Sequence, residues 1–333
     1  MTTRRQLLLN GAPAMAAAAG WPSGAQADNR VRLIMSMVGP ALENPRERRR
    51  IETLKQRVAE RGWVEGRNVR WDIRSFGVDA ALRNSLALEF VAAAPDLILA
   101  TSSLETAIFA KLTKTIPILF TTAADPIGSG FLRSLTRPEG NITGYSGSHP
   151  EIGAKWIELL GEISPGVRRI GVMFNPATAP GAGKTHMAIM EREAAQRSLD
   201  IEPVLISSPE DVRPVLAQFA AKAGAGLVLL ADSYTYWLSR SITSAANALR
   251  LPAIYPYETF SIDGGLMSYS SARDEQDALV AAYVDLILRG ANIADLPVQF
   301  GRRFELVINT TTAAALGLEV PASLRARAVR IVA

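Results

Sequence analysis

Short apolar runs alternate with amphipathic stretches along this chain, and the alternation starts a second time near its middle. Val31–Val38 and Leu97–Ala100 are apolar runs of the first series, and Pro45–Gly62 has the spacing of an amphipathic helix. The second series opens with Arg169–Phe174. Because buried strands separated by helices form parallel sheets that are covered on both faces, the sequence predicts an α/β fold.

Each series has a size that suits an open, doubly wound domain and is too small for a barrel. The join near Gly144–Gly147 is short, which indicates a hinge rather than a tether. A late helix at Asp274–Leu288 and a late strand at Glu305–Ile308 follow the second series, and a short helix is predicted at Phe131–Leu135. We therefore predict two doubly wound parallel-sheet lobes joined by a hinge.

Composition excludes several classes of protein. The 333 residues include no Cys, which excludes disulfides, Cys-ligated metal centres and thiol catalysis. Only two His are present, His149 and His186, so a centre with many His ligands is excluded, and both are expected to be exposed. A formal net charge of +4 is too even for a nucleic-acid binder. We expect no cofactor, no metal site and no nucleic-acid partner.

Residues 1–27 have the pattern of a secretory signal, with Arg4 and Arg5 before a weakly apolar core. Ala25 and Ala27 give the small-x-small pattern that signal peptidases cut. The paired arginines resemble a twin-arginine signal but also begin ordinary signals, so both export routes stay open. A membrane anchor is the alternative, but its apolar stretch would fall short of the ~20 residues that a spanning helix needs. We expect a periplasmic mature chain that does not span the membrane.

Two patterns imitate enzyme motifs without completing them. The Gly-Lys-Thr run at Gly183 resembles the end of a phosphate-binding loop, but Thr178 stands where its first Gly is required. The Gly-Tyr-Ser-Gly-Ser run at Gly144 resembles a nucleophile elbow but ends in Ser148 instead of Gly. The run Glu47–Arg50 indicates a solvated helix face with internal ion pairs. No catalytic residue is predicted.

Polar and aromatic residues follow the predicted strands, where open parallel sheets bind their ligands. Their hydroxyl, amide, carboxylate and aromatic groups suit a small polar or aromatic solute. The predicted ligand-binding residues are Ser102, Ser103, Thr122, Asp125, Asn175, Asp232, Tyr257 and Glu258.

Several of these positions have a structural alternative. Ser102 with Glu105 forms a capping box, although the start of the same helix also suits a carboxylate. Asp125 and Asn175 each precede a Pro and could simply start turns. Asp232 ends a buried strand, where it could bind the ammonium group of an amino acid, cap the next helix or pair with an Arg.

Five stretches, in order along the chain, resemble the ABC-transporter substrate-binding protein family that is often labelled tryptophan/tyrosine type. They are RGWVEGRNV at Arg61–Val69, DPIGSGF at Asp125–Phe131, PEGNITG at Pro138–Gly144, VMFNP at Val172–Pro176 and ELVIN at Glu305–Asn309. Glu139 departs from the Gly expected in the third stretch, and we expect a local change in backbone geometry there.

The resemblance implies a type I periplasmic-binding-protein fold, in which two lobes joined by three crossovers close on a ligand. The first lobe would combine residues 30–146 and 268–298, and the second 148–266 and 300–330. It also implies an exported solute-binding protein that captures an amino acid or a related small organic acid, aromatic acids included. The partners would be an ABC permease and its ATPase. The alternative is an exported sensor or an enzyme on the same fold, and the missing nucleophile–base pair disfavours the enzyme.

Overall fold

A computed structural model describes residues 30–39, 42, 44–77, 79–147 and 151–333. The predicted signal at residues 1–27 and His149 lie outside the described residues. Residues Val31–Ala333 form one unit.

The first series of elements follows the predicted alternation closely. In chain order it consists of β1 (Arg32–Val38), α1 (Pro45–Ala59), β2 (Val69–Ser75), α2 (Ala80–Ala92), β3 (Leu97–Ala100), α3 (Ser103–Leu112), β4 (Ile118–Phe120) and β5 (Ile142–Ser146).

The second series contains two short helices and a strand that the sequence analysis did not predict, the elements α7, α9 and β10 below. In chain order it consists of α4 (Ile152–Ile163), β6 (Arg169–Phe174), α5 (Lys184–Gln196), β7 (Asp200–Leu205), α6 (Val212–Ala220), β8 (Ala225–Leu229), α7 (Ser233–Trp237), α8 (Ser239–Ala248), β9 (Ala253–Tyr255), α9 (Glu258–Ile262) and β10 (Met267–Ser271).

The C-terminal elements return to both sheets. They are α10 (Arg273–Leu288), β11 (Gln299–Phe300), β12 (Phe304–Asn309), α11 (Thr310–Ala315), α12 (Ala322–Arg327) and β13 (Ala328–Val332).

Two sheets organise these elements. The first has the order β11-β5-β4-β3-β1-β2, and all its pairings are parallel. The second has the order β13-β12-β10-β9-β8-β6-β7, in which only β10 and β12 pair antiparallel. We call each sheet with its covering helices a lobe. β10 belongs to the second sheet, so the second lobe extends to Ser271, beyond the residue 266 at which its first segment was expected to end.

Alternate residues of the central strands explain why both faces of each sheet are covered. In the first lobe, Met35 and Met37 pack with Phe90 and Phe109 of α2 and α3. Ile34, on the opposite face, packs in a cluster with residues of α1 and α10. The side chains of β6 in the second lobe alternate in the same way. On one face they pack against α4 and α5, and on the other face against α6 and α8.

The chain passes between the lobes at three places, after β5, after β10 and after β11. Two of these passages are hydrogen-bonded side by side, because the Ala272 N–H donates to the Arg303 carbonyl at 2.9 Å. Gly301 lies so close to the neighbouring passage that an added Cβ would stand 2.5 Å from Ser271 Cβ. The passages after β10 and β11 therefore lie side by side at the hinge.

Two local expectations are wrong, those for Phe131–Leu135 and His186, and the structure also gives the backbone conformation of Glu139. No helix forms at Phe131–Leu135, because the preceding segment folds into turns, with Gly130 at φ 78° and Leu132 N–H donating to the Pro126 carbonyl. His186 is buried rather than exposed, since it lies in the first turn of α5 against the lobe. Glu139 adopts φ 54°, the left-handed backbone that favours Gly.

None of the described helices is both long and apolar enough to cross a membrane. Among the described residues, no group of three His, Asp or Glu side chains could hold a metal ion.

Candidate functional site

The carboxyl ends of the strands of both lobes face a cavity of about 110 Å³, which we call the cleft cavity. This volume has room for several water molecules or a small ligand. The first lobe and the hinge supply Arg50, Phe76, Arg83, Thr101, Ser102, Ser103, Glu105, Thr122 and Arg273. The second lobe supplies Thr178, Ser233, Tyr234, Tyr236, Trp237 and Tyr257.

Four of the eight predicted residues line the cleft cavity, namely Ser102, Ser103, Thr122 and Tyr257. Glu258 instead lines a smaller cavity beside the hinge, where Thr122 and Tyr257 also contribute. The other three predicted residues, Asp125, Asn175 and Asp232, line neither cavity.

Asp232 is a fully used structural carboxylate. It is 2 % exposed, and it accepts hydrogen bonds from Asn175 N at 2.9 Å, Thr178 Oγ1 at 2.5 Å and Tyr234 N at 2.9 Å. Burial raises the pKa of this carboxyl group. It is the N-cap of α7, so the capping alternative is confirmed.

Asp125 and Asn175 both start turns, as their alternatives predicted. Asp125 Oδ1 accepts from Gly128 N at 2.9 Å, and its backbone has φ 44°. Asn175 Oδ1 accepts from Ala177 N at 2.8 Å. These side chains shape the loops that border the cleft.

The start of α3 faces the cleft cavity. Ser102 is its N-cap and accepts from Glu105 N at 3.4 Å, which is the N-cap half of the predicted capping box. The Ser103 hydroxyl donates to the Ala124 carbonyl at 2.9 Å and accepts from Ala124 N at 3.0 Å, so it holds the loop after β4. The N–H groups of Ser103 and Leu104 belong to the first turn, which has no intrahelical acceptor for them. This end of the helix can therefore bind an anion.

Sequence reasoning missed most of the aromatic lining. Tyr234 follows the predicted strand end at Asp232 and was considered there. Tyr236 and Trp237, on the same helix α7, were missed because its short span gives no helical periodicity. Tyr236 and Tyr257 pack edge to face with ring centroids 5.5 Å apart. Phe76 contributes an aromatic ring from the opposite lobe. An aromatic run directly after the strand end at Asp232 was the available signal.

Sequence reasoning also missed the charged lining. The Glu47–Arg50 run is not wholly solvated, because Glu47 is buried and Arg50 lines the cleft cavity. The internal ion pair expected there does form, with Arg50 Nε 2.9 Å from Glu47 Oε2. Glu105 is 1 % exposed, and burial raises the pKa of its carboxyl group.

The two lobes touch directly at one side of the cleft. Tyr236 donates its hydroxyl hydrogen to Glu47 Oε1 at 2.8 Å across the lobes, and burial raises the pKa of this phenol so that it stays a donor. Arg46 binds Asp263 with both terminal nitrogens, at 3.2 and 3.0 Å. Helix α1 thus carries two contacts that hold the cleft closed.

Two doubly wound lobes, a hinge of three passages and a cavity between the strand ends define a bilobal solute-binding protein. The family model for ABC transporter substrate binding proteins matches residues 37–332, and the chain belongs to this family. The resemblance deduced from the sequence is therefore confirmed.

One known protein is similar to this chain in sequence, and two solved structures share its fold. The chain is 26% identical over 263 residues to a tyrosine-binding protein of Clostridioides difficile, covering 79% of this chain and 74% of the relative. A conserved domain protein of Vibrio cholerae is 26% identical with a TM-score of 0.82, covering 90% of this chain and 99% of that one. An ABC domain from Streptococcus pneumoniae in complex with L-Trp is 21% identical with a TM-score of 0.80, covering 90% and 100%. The predicted two-lobe α/β fold is confirmed.

Proposed function

We propose that this chain is an exported receptor that captures a small aromatic solute with a carboxylate group and delivers it to an ABC permease and its ATPase. The solute is an aromatic amino acid or a related aromatic acid. The observation that carries the proposal is the cleft cavity itself, in which aromatic side chains of both lobes face the start of α3.

The two kinds of lining match the two ends of such a solute. The rings of Phe76, Tyr236 and Tyr257 offer apolar faces and edges to an aromatic ring, a contact worth ~0.5–1.5 kcal/mol beyond burial. The first N–H groups of α3, which have no intrahelical acceptor, offer hydrogen bonds and the positive end of a helix dipole to a carboxylate. The relatives that bind tyrosine and L-Trp support the same class of solute.

A ligand screen tests the proposal. Purified mature protein is expected to bind at least one of L-Tyr, L-Trp, L-Phe and their deaminated acids, and to be stabilised by ~2.7 kcal/mol at about a hundred times the dissociation constant. Thermal unfolding and titration calorimetry measure this, with L-Ala as the control that lacks a ring. Binding of L-Ala or of sugars in place of every aromatic compound would refute the proposal.

Delivery to an importer requires an uptake experiment in the native cell. Deletion of this chain is expected to abolish uptake of the radiolabelled ligand, and re-expression to restore it. Normal uptake in the deletion strain would instead favour the sensor alternative.

Export is the remaining part of the proposal. Residues 1–27 carry the signal pattern, and cleavage after Ala27 would leave Asp28 as the first residue. Mass spectrometry of the protein from a periplasmic fraction is expected to find its N-terminus at or near Asp28. An intact Met1 on protein confined to the cytoplasm would contradict export.

A further inference from the structure

The charged side chains that line the cleft cavity are mostly cationic. Among the described lining residues, the guanidinium groups are those of Arg50, Arg83 and Arg273, and Glu105 supplies the carboxylate. The balance of charge therefore favours an anion in the cavity.

These three guanidinium groups differ in how well they are satisfied. Arg50 pairs with Glu47 at 2.9 Å, and Arg273 Nη1 donates to Gln276 Oε1 at 3.2 Å. The Arg83 guanidinium group makes no ion pair and no hydrogen bond with the described residues. Its Nε is buried and has no hydrogen-bond partner there. Its close neighbour is the ring of Phe76, with the guanidinium carbon 6.0 Å from the centroid. A desolvated N–H donor of this kind is rare in folded proteins unless an acceptor arrives.

A carboxylate would be the strongest partner for the ammonium group of an amino acid. Asp232 is outside the cavity and accepts three hydrogen bonds already. Glu258 lines the other cavity and lies 3.8 Å from Arg330. Glu105 remains, but its Oε2 accepts from Thr101 Oγ1 at 3.2 Å, and burial disfavours its charged form. The cavity is thus better equipped for a carboxylate than for an ammonium group.

We propose that Arg83 is the carboxylate-binding residue of the cleft, and that the site accepts aromatic carboxylic acids without requiring an α-ammonium group. This inference rests on the proposed function. Arg83 extends from the first half of α2, and the start of α3 lines the same cavity, so both can donate to one carboxylate. The guanidinium fork can supply two parallel N–H donors to it.

The test compares ligands that differ only in the charged groups beside the ring. Titration calorimetry would use 3-phenylpropanoate, L-Phe and phenethylamine, and the corresponding 4-hydroxyphenyl and indolyl series. In at least one series the acid is expected to bind within tenfold of the amino acid or more tightly, and the amine to bind weakest.

Variants then assign the role of each charged residue. Arg83→Gln is expected to weaken binding of the acid on the order of 10- to 100-fold, the range for a hydrogen bond to a charged group. Arg83→Lys keeps the charge without the fork and should lose less. Glu105→Gln removes the carboxyl group that lines the cavity and should not weaken binding of the acid. Arg192→Gln, on the exposed face of α5, is the matched control and should bind like wild type.

Three outcomes would overturn the inference. The first is an amino acid that binds at least a hundredfold tighter than its acid and loses this advantage in Glu105→Gln. The second is unchanged acid binding in folded Arg83→Gln, or in Arg83→Lys if the first variant does not fold. The third is no binding in any series, which refutes the proposed function as well, whereas the first outcome leaves that function intact.

Discussion

Gly144→Ala is expected to lower the free energy of unfolding by about 3 kcal/mol, the upper end of the usual cost of overpacking a core. Gly144 lies inside β5 and pairs with Phe120 of β4. A Cβ at this position would stand 2.2 Å from the Phe120 carbonyl oxygen and 2.5 Å from Phe120 Cγ. Because one of these atoms belongs to the backbone of a central strand, β5 must move away from β4 to make room.

Chemical and thermal denaturation of the purified variant measure this cost. Gly161→Ala is the matched control, because an added Cβ there meets no atom within 4 Å and the residue lies inside α4. That substitution should raise stability by up to ~1 kcal/mol through helix propensity. Equal stability of Gly144→Ala and wild type would show that the strands can separate at little cost.

Asp232→Ala is expected to destabilise the protein by about 3 kcal/mol, since it leaves buried donors without an acceptor. The carboxylate joins Asn175 and Thr178, after β6, to Tyr234 at the start of α7. Its loss therefore separates two loops of the second lobe and also removes a helix cap. The stability of Asp232→Asn should lie between those of wild type and Asp232→Ala. The amide oxygen can still accept a hydrogen bond, but the amide nitrogen would face donors.

The control for Asp232 is a second capping aspartate. Asp79 is exposed and accepts from Ala81 N and Leu82 N at the start of α2. Asp79→Ala should cost only ~1 kcal/mol, the usual value for an N-cap. Denaturation curves of the two alanine variants measure the difference. Equal costs for both would mean that the hydrogen bonds of Asp232 to the loop after β6 contribute nothing.

The sequence was sufficient to predict where the strands end, because these positions depend on local hydrophobic patterns alone. The buried runs at Leu97–Ala100 and Arg169–Phe174 coincide with β3 and β6 in full. Parallel strands then bring their carboxyl ends to one edge, which is why Ser102 and Tyr257 could be placed at the edge where the cleft cavity lies. The strand β10 was missed because Met267–Ser271 is mostly small and polar, unlike a buried run.

The charged part of the site could not be deduced in this way. Arg50 and Arg83 lie on helices rather than at strand ends. They become part of the cleft lining only because the second lobe lies opposite them. Asp232 was assigned by its burial, but the number of donors around it depends on the loop at Asn175, which is distant along the chain. These roles depend on contacts between segments that are distant along the chain. Hydrophobic periodicity does not reveal such contacts.

The order of the elements along the chain also sets the order in which the protein can be completed during translation. The face of the first sheet that contains Ile34 and Leu99 is covered by α10, which follows the strands β6–β10 of the second lobe. A ribosome that has finished β5 must therefore synthesise most of the second lobe before this cover emerges. At roughly 5–20 residues per second, the nascent chain carries this apolar face open for on the order of ten seconds. That interval is when the chain is most exposed to aggregation and to capture by chaperones.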